Sequence, residues 1–264
     1  MKLSYLIVIM TLAVLGLPAQ STDLADSLMA HGEYYRAITE YYKFVFGDDP
    51  ALAKKGHQGI REAFLRGQDW EGLTNYLDYQ RSIDDYAYLA WAWINLERPD
   101  LAAIASADGA SVKRRQMYAV SKAFQGDFIE AEKVLREIGV SSGPLNLKLM
   151  EINAATQGLP RKNPVLAGTM SIVPGLGYAY NGHWDTAVAS FAVNLLWLAV
   201  VFELVNRDLD FSAAGVASVG LGFYMGNIFG AARQAKKINI NRRYAYLHKH
   251  LGPIIGEEFL IPND

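Results

Sequence analysis

Apolar and polar positions alternate along this chain in three regimes. Residues Leu3 to Leu17 form one apolar run, preceded by Lys2 and followed by Pro18, Ala19, Gln20 and the polar Ser21-Thr22-Asp23. From Asp23 to about Asn153 apolar residues recur at helical spacing in a background of Ala, Leu, Tyr and Glu, punctuated by Gly or Pro at intervals near thirty residues. From Asn163 onward three stretches lack any charged residue: Asn163 to Trp184, Thr186 to Phe202, and Phe211 to Ala232. The first regime, residues 1–20, has the cation, short apolar core and small residues of a secretory signal peptide. It is shorter than the roughly 20 residues that cross a bilayer. Leu17 occupies a position where cleavage favours a small side chain, so a removed signal and a retained N-terminal anchor both fit. Either one exports the residues beyond Gln20.

The second regime predicts an all-α domain over residues 23–156. Its clearest unit runs from Ala25 through Gly32, Tyr34 and Ala37 to Pro50. Gly32 permits a tight turn, Ala37 lets two helices approach, and the aromatic side chains fill the groove between them. The frame returns at Gly67, at Glu97 and at Gly126, the last with Phe128 and Ala131 in register, giving spacings of 35, 30 and 29 residues. This pattern resembles a degenerate tetratricopeptide repeat, whose period is about 34 residues. The second unit has Gly72 where the repeat carries Ala, and the third lacks its turn glycine. The resemblance implies a small solenoid of helical pairs with turns at Gly32, Gly67, Glu97 to Asp100 and Gly126, with Ala37 and Ala131 at close contacts. Such a solenoid binds a protein or peptide in its groove.

The break Gly158-Leu159-Pro160-Arg161-Lys162-Asn163-Pro164 marks the expected domain boundary, and residues 163–240 read as a membrane domain. Residues 186–204 and 211–232 are apolar enough to form a transmembrane helical hairpin around the polar turn Asn206 to Asp210. Residues 163–184 are interrupted by Pro174, Gly175 and Gly177, which break a helix. A re-entrant or interfacial element is therefore expected there, with a third, kinked span as the other reading. The segment Ser171-Ile172-Val173-Pro174-Gly175-Leu176-Gly177-Tyr178-Ala179-Tyr180-Asn181-Gly182 resembles the Ser-x-x-Pro-Gly-x-Gly-Gln-x-Tyr-x-Gly signature of small bacterial integral-membrane domains of uncharacterised function. Pro174, Gly175, Gly177, Tyr180 and Gly182 carry the likeness, and Tyr178 stands where that family has Gln.

In the last span Ala214, Ser218, Gly222, Gly226 and Gly230 recur every four residues, drawing a small-residue stripe down one helix face. In lipid such a stripe brings helices together by dispersion. The preceding helix of the same chain is the expected neighbour, and a second copy is the alternative. Asn194 and Asn227 are placed to hydrogen-bond across the hairpin. Beyond Ala232 come Arg233, Lys236, Lys237, Arg242, Arg243, His248, Lys249 and His250. Residues 241–264 read as a basic tail suited to anionic lipid headgroups. Export combined with two spans places this tail in the periplasm, whereas a basic cluster favours the cytoplasmic side. Two and three crossings both remain open.

Composition narrows the chemistry. Twenty-five Lys and Arg against 27 Asp and Glu leave a net charge of −2, which argues against a nucleic-acid binder. Absence of cysteine excludes disulfides and thiolate metal sites. His248 and His250 lack a third ligand, no Gly-x-Ser-x-Gly or His-Glu-x-x-His motif occurs, and no strand or Lys-Ser/Thr accompanies the Gly-x-Gly of the signature. No catalytic residue, metal or cofactor is expected. The sequence expectation is thus a non-enzymatic, membrane-tethered scaffold or adaptor in a bacterial envelope, facing the periplasm from the inner membrane, with a role in envelope or membrane-protein biogenesis. A channel or transporter component using the Pro-Gly loop as a re-entrant element is the alternative.

Overall fold

The computed structural model describes residues 22–80, 85–107, 111–139 and 143–256. The signal-like segment 1–20 and the last residues of the tail lie outside them. The regular elements among the described residues are helices: α1 (Asp23–Ala30), α2 (Tyr34–Val45), α3 (Pro50–Arg66), α4 (Trp70–Gln80), α5 (Tyr86–Asn95), α6 (Pro99–Ser106), α7 (Val112–Gln125), α8 (Phe128–Ile138), α9 (Pro144–Gln157), α10 (Pro164–Met170), α11 (Leu176–Asn181), α12 (Trp184–Asn206) and α13 (Asp210–Ile255). They form two compact units, one up to Ser121 and one from Lys122 to Ile255.

In the first unit each helix from α1 to α6 packs on its neighbour in sequence, and α1 also meets α3, which is repeat-like packing. Local chemistry starts and ends these helices. Asp49 caps α3 by accepting from the Ala51 amide at 2.8 Å, with Pro50 at the first helical position. The left-handed residues of the turns are Gly32, Gln68 and Glu97, and Gly126 plays the same part before α8. At the second turn the positive φ thus falls on Gln68, while Gly67 has an ordinary φ of −74° and owes its missing side chain to the nearby Ala63 carbonyl and Tyr34 ring. Ala37, Ile60, Ala63, Leu73, Ala90 and Ile94 are fully buried. Asp26 ties α1, α2 and α3 together, accepting from Tyr41 at 2.6 Å and from Lys55 at 3.0 Å. Burial pushes its carboxyl up, but hydrogen bonds from Thr22, Tyr41 and Lys55 outweigh that and hold it below the ordinary value.

In the second unit α8 packs on α9, with Asn146 donating to the Leu135 carbonyl at 2.9 Å and Asn153 to the Phe128 carbonyl at 3.1 Å. Ala131 is fully buried. Helix α9 also meets α13, and the Phe124 ring lies 5.2 Å from Tyr244 and 4.9 Å from His248. The segment 163–184 is two short helices, α10 of 7 residues and α11 of 6, each well below a bilayer's span. Helices α12 and α13 pair along their length. Instead of stopping near Ala232, α13 continues for 46 residues, about 69 Å at the helical rise. The reason is local: Ala231 to His250 holds neither Gly nor Pro and is rich in Ala, Arg and Lys. The basic stretch up to Ile255 is therefore the second half of that helix and not a separate tail.

Burial reverses along the apolar stretches of the two long helices. Among the most apolar 18 residues of α12 none is buried, and for α13 the share is 11%. A core helix of comparable apolarity would be mostly covered, so these two helices have the length, composition and exposure of membrane-spanning helices.

Candidate functional site

The Pro-Gly loop between α10 and α11 is seated on the middle of α13. Asn163 caps α10, accepting from the Val165 and Leu166 amides at 2.9 and 3.1 Å. The helix ends at Ser171, whose hydroxyl donates back to the Ala167 carbonyl at 3.1 Å. Gly175 then adopts φ +85° with its α-carbon face against the Ala187 carbonyl of α12. Both the backbone conformation and the close approach exclude a side chain there. Two residues on, Gly177 lies against the Ala167 carbonyl and the Ser171 hydroxyl, with the Ala231 methyl just beyond. Ala167, Ala231 and Ala235 form the small core under this cradle, and Tyr178 and Tyr180 pack onto it.

The freed backbone groups of the loop are met by side chains of α13. Asn227 is the hub: its amide nitrogen donates to the Ser171 carbonyl at 3.0 Å, and its oxygen accepts from the Gly175 amide at 3.3 Å and from the Ser190 hydroxyl of α12 at 2.6 Å. Tyr224 donates to the Ile172 carbonyl at 3.0 Å, and Asn181 donates across to the Ala231 carbonyl at 2.8 Å. At the polar edge, Asn239 clasps both the amide and the carbonyl of Lys162 at 2.8 Å each, while the Lys162 ammonium donates to the Tyr180 carbonyl at 2.7 Å. Asn163 donates its amide to the Tyr180 hydroxyl at 3.0 Å. Broken backbone surrounded by apolar solvent persists only where such partners exist.

The signature residues thus have distinct parts. Gly175 and Gly177 allow close approach, Tyr180 joins the loop to the strap before α10, Gly182 ends α11 at φ +89°, and Pro174 faces a groove along α12 and α13. Tyr178 lays its hydroxyl against Gly230, where no side chain would fit beside it. The small-residue stripe needs correction. Gly222 and Gly226 do not bring α13 against α12: a methyl built on either meets open space, and both line a groove of about 560 Å³ with Ser190 and Asn194. Ser218 returns its hydroxyl to the Ala214 carbonyl of its own helix. The close contact is at Gly220, where a methyl would come within 3.3 Å of the Trp197 Cβ, while Trp197 and Phe223 stack at 5.6 Å. The four-residue repeat fixed a helix face, but the crossing geometry aims a neighbouring face at α12. Asn227 does bond across the hairpin, whereas Asn194 donates to the Ser190 carbonyl within α12. Asn181, Asn239 and Tyr224 were missed by sequence reasoning, which marked Ser190 only as a small or polar position facing the last span. A polar residue in an otherwise uncharged stretch was the signal available for Asn181 and Tyr224.

A second polar cluster lies in the first unit. Arg61 pairs with the buried Asp85 and stacks 5.2 Å from the Tyr88 ring, while His57 meets the Tyr76 hydroxyl. Burial, aided by the Arg61 charge, lowers the His57 pKa and favours the neutral ring. Burial likewise raises the phenol of Tyr76. These groups satisfy one another inside the helix stack. Among the described residues no three His, Asp or Glu side chains gather in metal-binding geometry. No family model matches the chain, and no curated protein or solved structure is significantly similar to it.

Proposed function

We propose that the chain is a membrane-tethered scaffold or adaptor in which α12 and α13 cross a bilayer as a hairpin and the tetratricopeptide-like helical repeats hold a protein or peptide partner. The observation that carries this reading is the exposure of large apolar side chains along both long helices, Phe191, Leu195, Leu198, Phe202, Phe211, Leu221 and Phe229 among them, while Asn227 is buried. The Pro-Gly element pins the hairpin and does not cross. A non-catalytic role is consistent with polar groups that are spent on backbone and on one another. A pore role for the loop has less support, because its amides and carbonyls are bonded to α13 and neither Thr186–Phe202 nor Phe211–Ala232 holds an Asp, Glu, Lys, Arg or His.

Two crossings put α8, α9 and the basic half of α13 at one end of the hairpin. The signal-like start supports a periplasmic, inner-membrane placement of that end, in keeping with a role in envelope or membrane-protein biogenesis. A cytoplasmic placement is the second reading, favoured by Arg161, Lys162, Arg233, Lys236, Lys237, Arg242 and Arg243 at that end, against Arg207 with Glu203, Asp208 and Asp210 at the other. Single cysteines introduced at 208 and at 249 into this cysteine-free chain decide it. In intact spheroplasts an impermeant maleimide labels only 249 for a periplasmic domain and only 208 for a cytoplasmic one. Equal labelling of both before permeabilisation sinks the hairpin.

A further inference from the structure

Between the end of α9, the strap 158–163 and the first turns of α13 beyond Ala232 lies a cavity of about 280 Å³ whose charged lining residues are Arg161, Lys236 and Arg243, with no Asp or Glu. Three cations facing one small space repel each other unless an anion joins them. The arrangement is built and not incidental. Asn239 holds the Lys162 backbone and Arg242 donates to the Pro160 carbonyl at 3.1 Å, which fixes the strap that carries Arg161. The Arg161 guanidinium rests 5.5 Å from the Phe128 ring centre. That of Arg243 is seated against Gly126, whose φ of +90° and lack of a Cβ make the room. The Arg243 Nε is buried and makes no hydrogen bond among the described residues. Burial lowers the Arg243 pKa, with the Tyr244 phenol acting against it and the Arg161 charge adding to it.

Position along α13 indicates the anion's source. The contacts Ser190 with Asn227 and Trp197 with Gly220 set an antiparallel register that brings Trp184, an interfacial residue type, level with Arg233. Lys236 is about 4.5 Å further along the axis and Arg243 about 15 Å, and helical side chains lean back toward the N-terminus, here toward the membrane. The headgroup layer is roughly 5–7 Å deep, so the Lys236 backbone lies within it, while that of Arg243 lies beyond it and only a long side chain leaning back reaches toward it. We propose that this cavity holds the phosphate of an anionic phospholipid headgroup, gripped by Arg161, Lys236 and Arg243, so that the strap before the Pro-Gly element is locked to α13 by lipid. The cavity's apolar walls, Leu159 and Ile240, meet the glycerol side. This rests on the membrane reading above.

The test uses the full chain in vesicles of phosphatidylcholine with or without phosphatidylglycerol, followed by native mass spectrometry of the lipid retained and titration of its affinity. Arg161→Gln with Arg243→Gln is expected to weaken phosphatidylglycerol binding about thirtyfold. Arg233→Gln with Lys237→Gln, the same charge change outside the cavity, is expected to weaken it far less. Equal losses in the two pairs overturn the site in favour of diffuse surface attraction. Inorganic phosphate binding as tightly as phosphatidylglycerol overturns the lipid assignment in favour of a free anion. Arg161→Gln alone, at an exposed position, repeats the test if the double variant fails to fold. Extraction of the unaltered protein by alkaline carbonate counts against the membrane reading itself, whereas a carbonate-resistant protein with unchanged lipid retention in the cavity variant counts against the site only.

Discussion

Helices α1 to α6 and helices α10 to α13 solve opposite packing problems with the same element. In α1 to α6 the apolar side chains Ile60, Leu73 and Ile94 are inside, and charges such as Arg36, Lys43 and Arg98 are outside. Around α10 to α13 the buried residues include Ser171, Asn181 and Asn227, while Phe202 and Phe211 face outward at 67% and 95% exposure. Water drives the first arrangement, because burial of apolar surface is what stabilises it. In the second, under the membrane reading proposed above, that gain is absent between helices, and what remains is close packing of small residues and the pairing of polar groups that lipid would not solvate. The comparison teaches that a buried asparagine can be as decisive in one unit as a buried isoleucine is in the other.

The sharpest break of that comparison is Asn227→Leu. It gains apolar volume yet strips partners from the Ser171 carbonyl, the Gly175 amide and the Ser190 hydroxyl, so a loss of about 2–4 kcal/mol is expected, read as thermal unfolding in nanodiscs. A neutral or stabilising outcome would mean that apolar filling governs this unit too. In the first unit the corresponding change is Ala37→Leu, which overpacks a fully buried position between helices. It should cost roughly 1–3 kcal/mol, and unchanged thermal unfolding would show that α2 packs in another register.

A finer contrast lies within α13. Gly230→Leu collides with the Tyr178 hydroxyl and should destabilise by about 1–2 kcal/mol, whereas Gly226→Leu projects into the open groove and should stay within about 0.5 kcal/mol. Reversal of that order would restore the sequence-derived stripe as the contact face. Smallest is a pH effect. Burial lowers the His248 pKa from its ordinary value of 6.5, so the folded protein binds fewer protons than the unfolded chain as pH falls through that value. Stability is complete above about pH 6.5 and declines as pH drops toward the folded pKa. His57 adds a slope of the same sign. His248→Gln should flatten part of the unfolding-temperature profile, and an unchanged profile would place His248 in water.

Much of the architecture was legible in residue order. The helical period around Ala37 and Ala131, the cap at Asp49, the apolar lengths of Thr186–Phe202 and Phe211–Ala232, and the break at Pro174-Gly175 all arise from interactions within a few residues of one another. Sequence also marked Asn227 as a polar residue needing a partner. What it did not determine is which partner. That depends on how far each helix is rotated and where it crosses its neighbour, and a repeat of four residues leaves both free. Only the tertiary structure turned Gly220 toward Trp197 and left Gly222 and Gly226 on a groove, set Tyr178 against Gly230, and gave Asn181 the Ala231 carbonyl fifty residues away. It also decided that α13 runs on unbroken past the apolar span, which brings Arg243 to Gly126 and Asn239 to Lys162. Local periodicity fixes which residues share a face; the close packing of several faces at once, and the demand that every buried polar group find a partner, fix what each face meets.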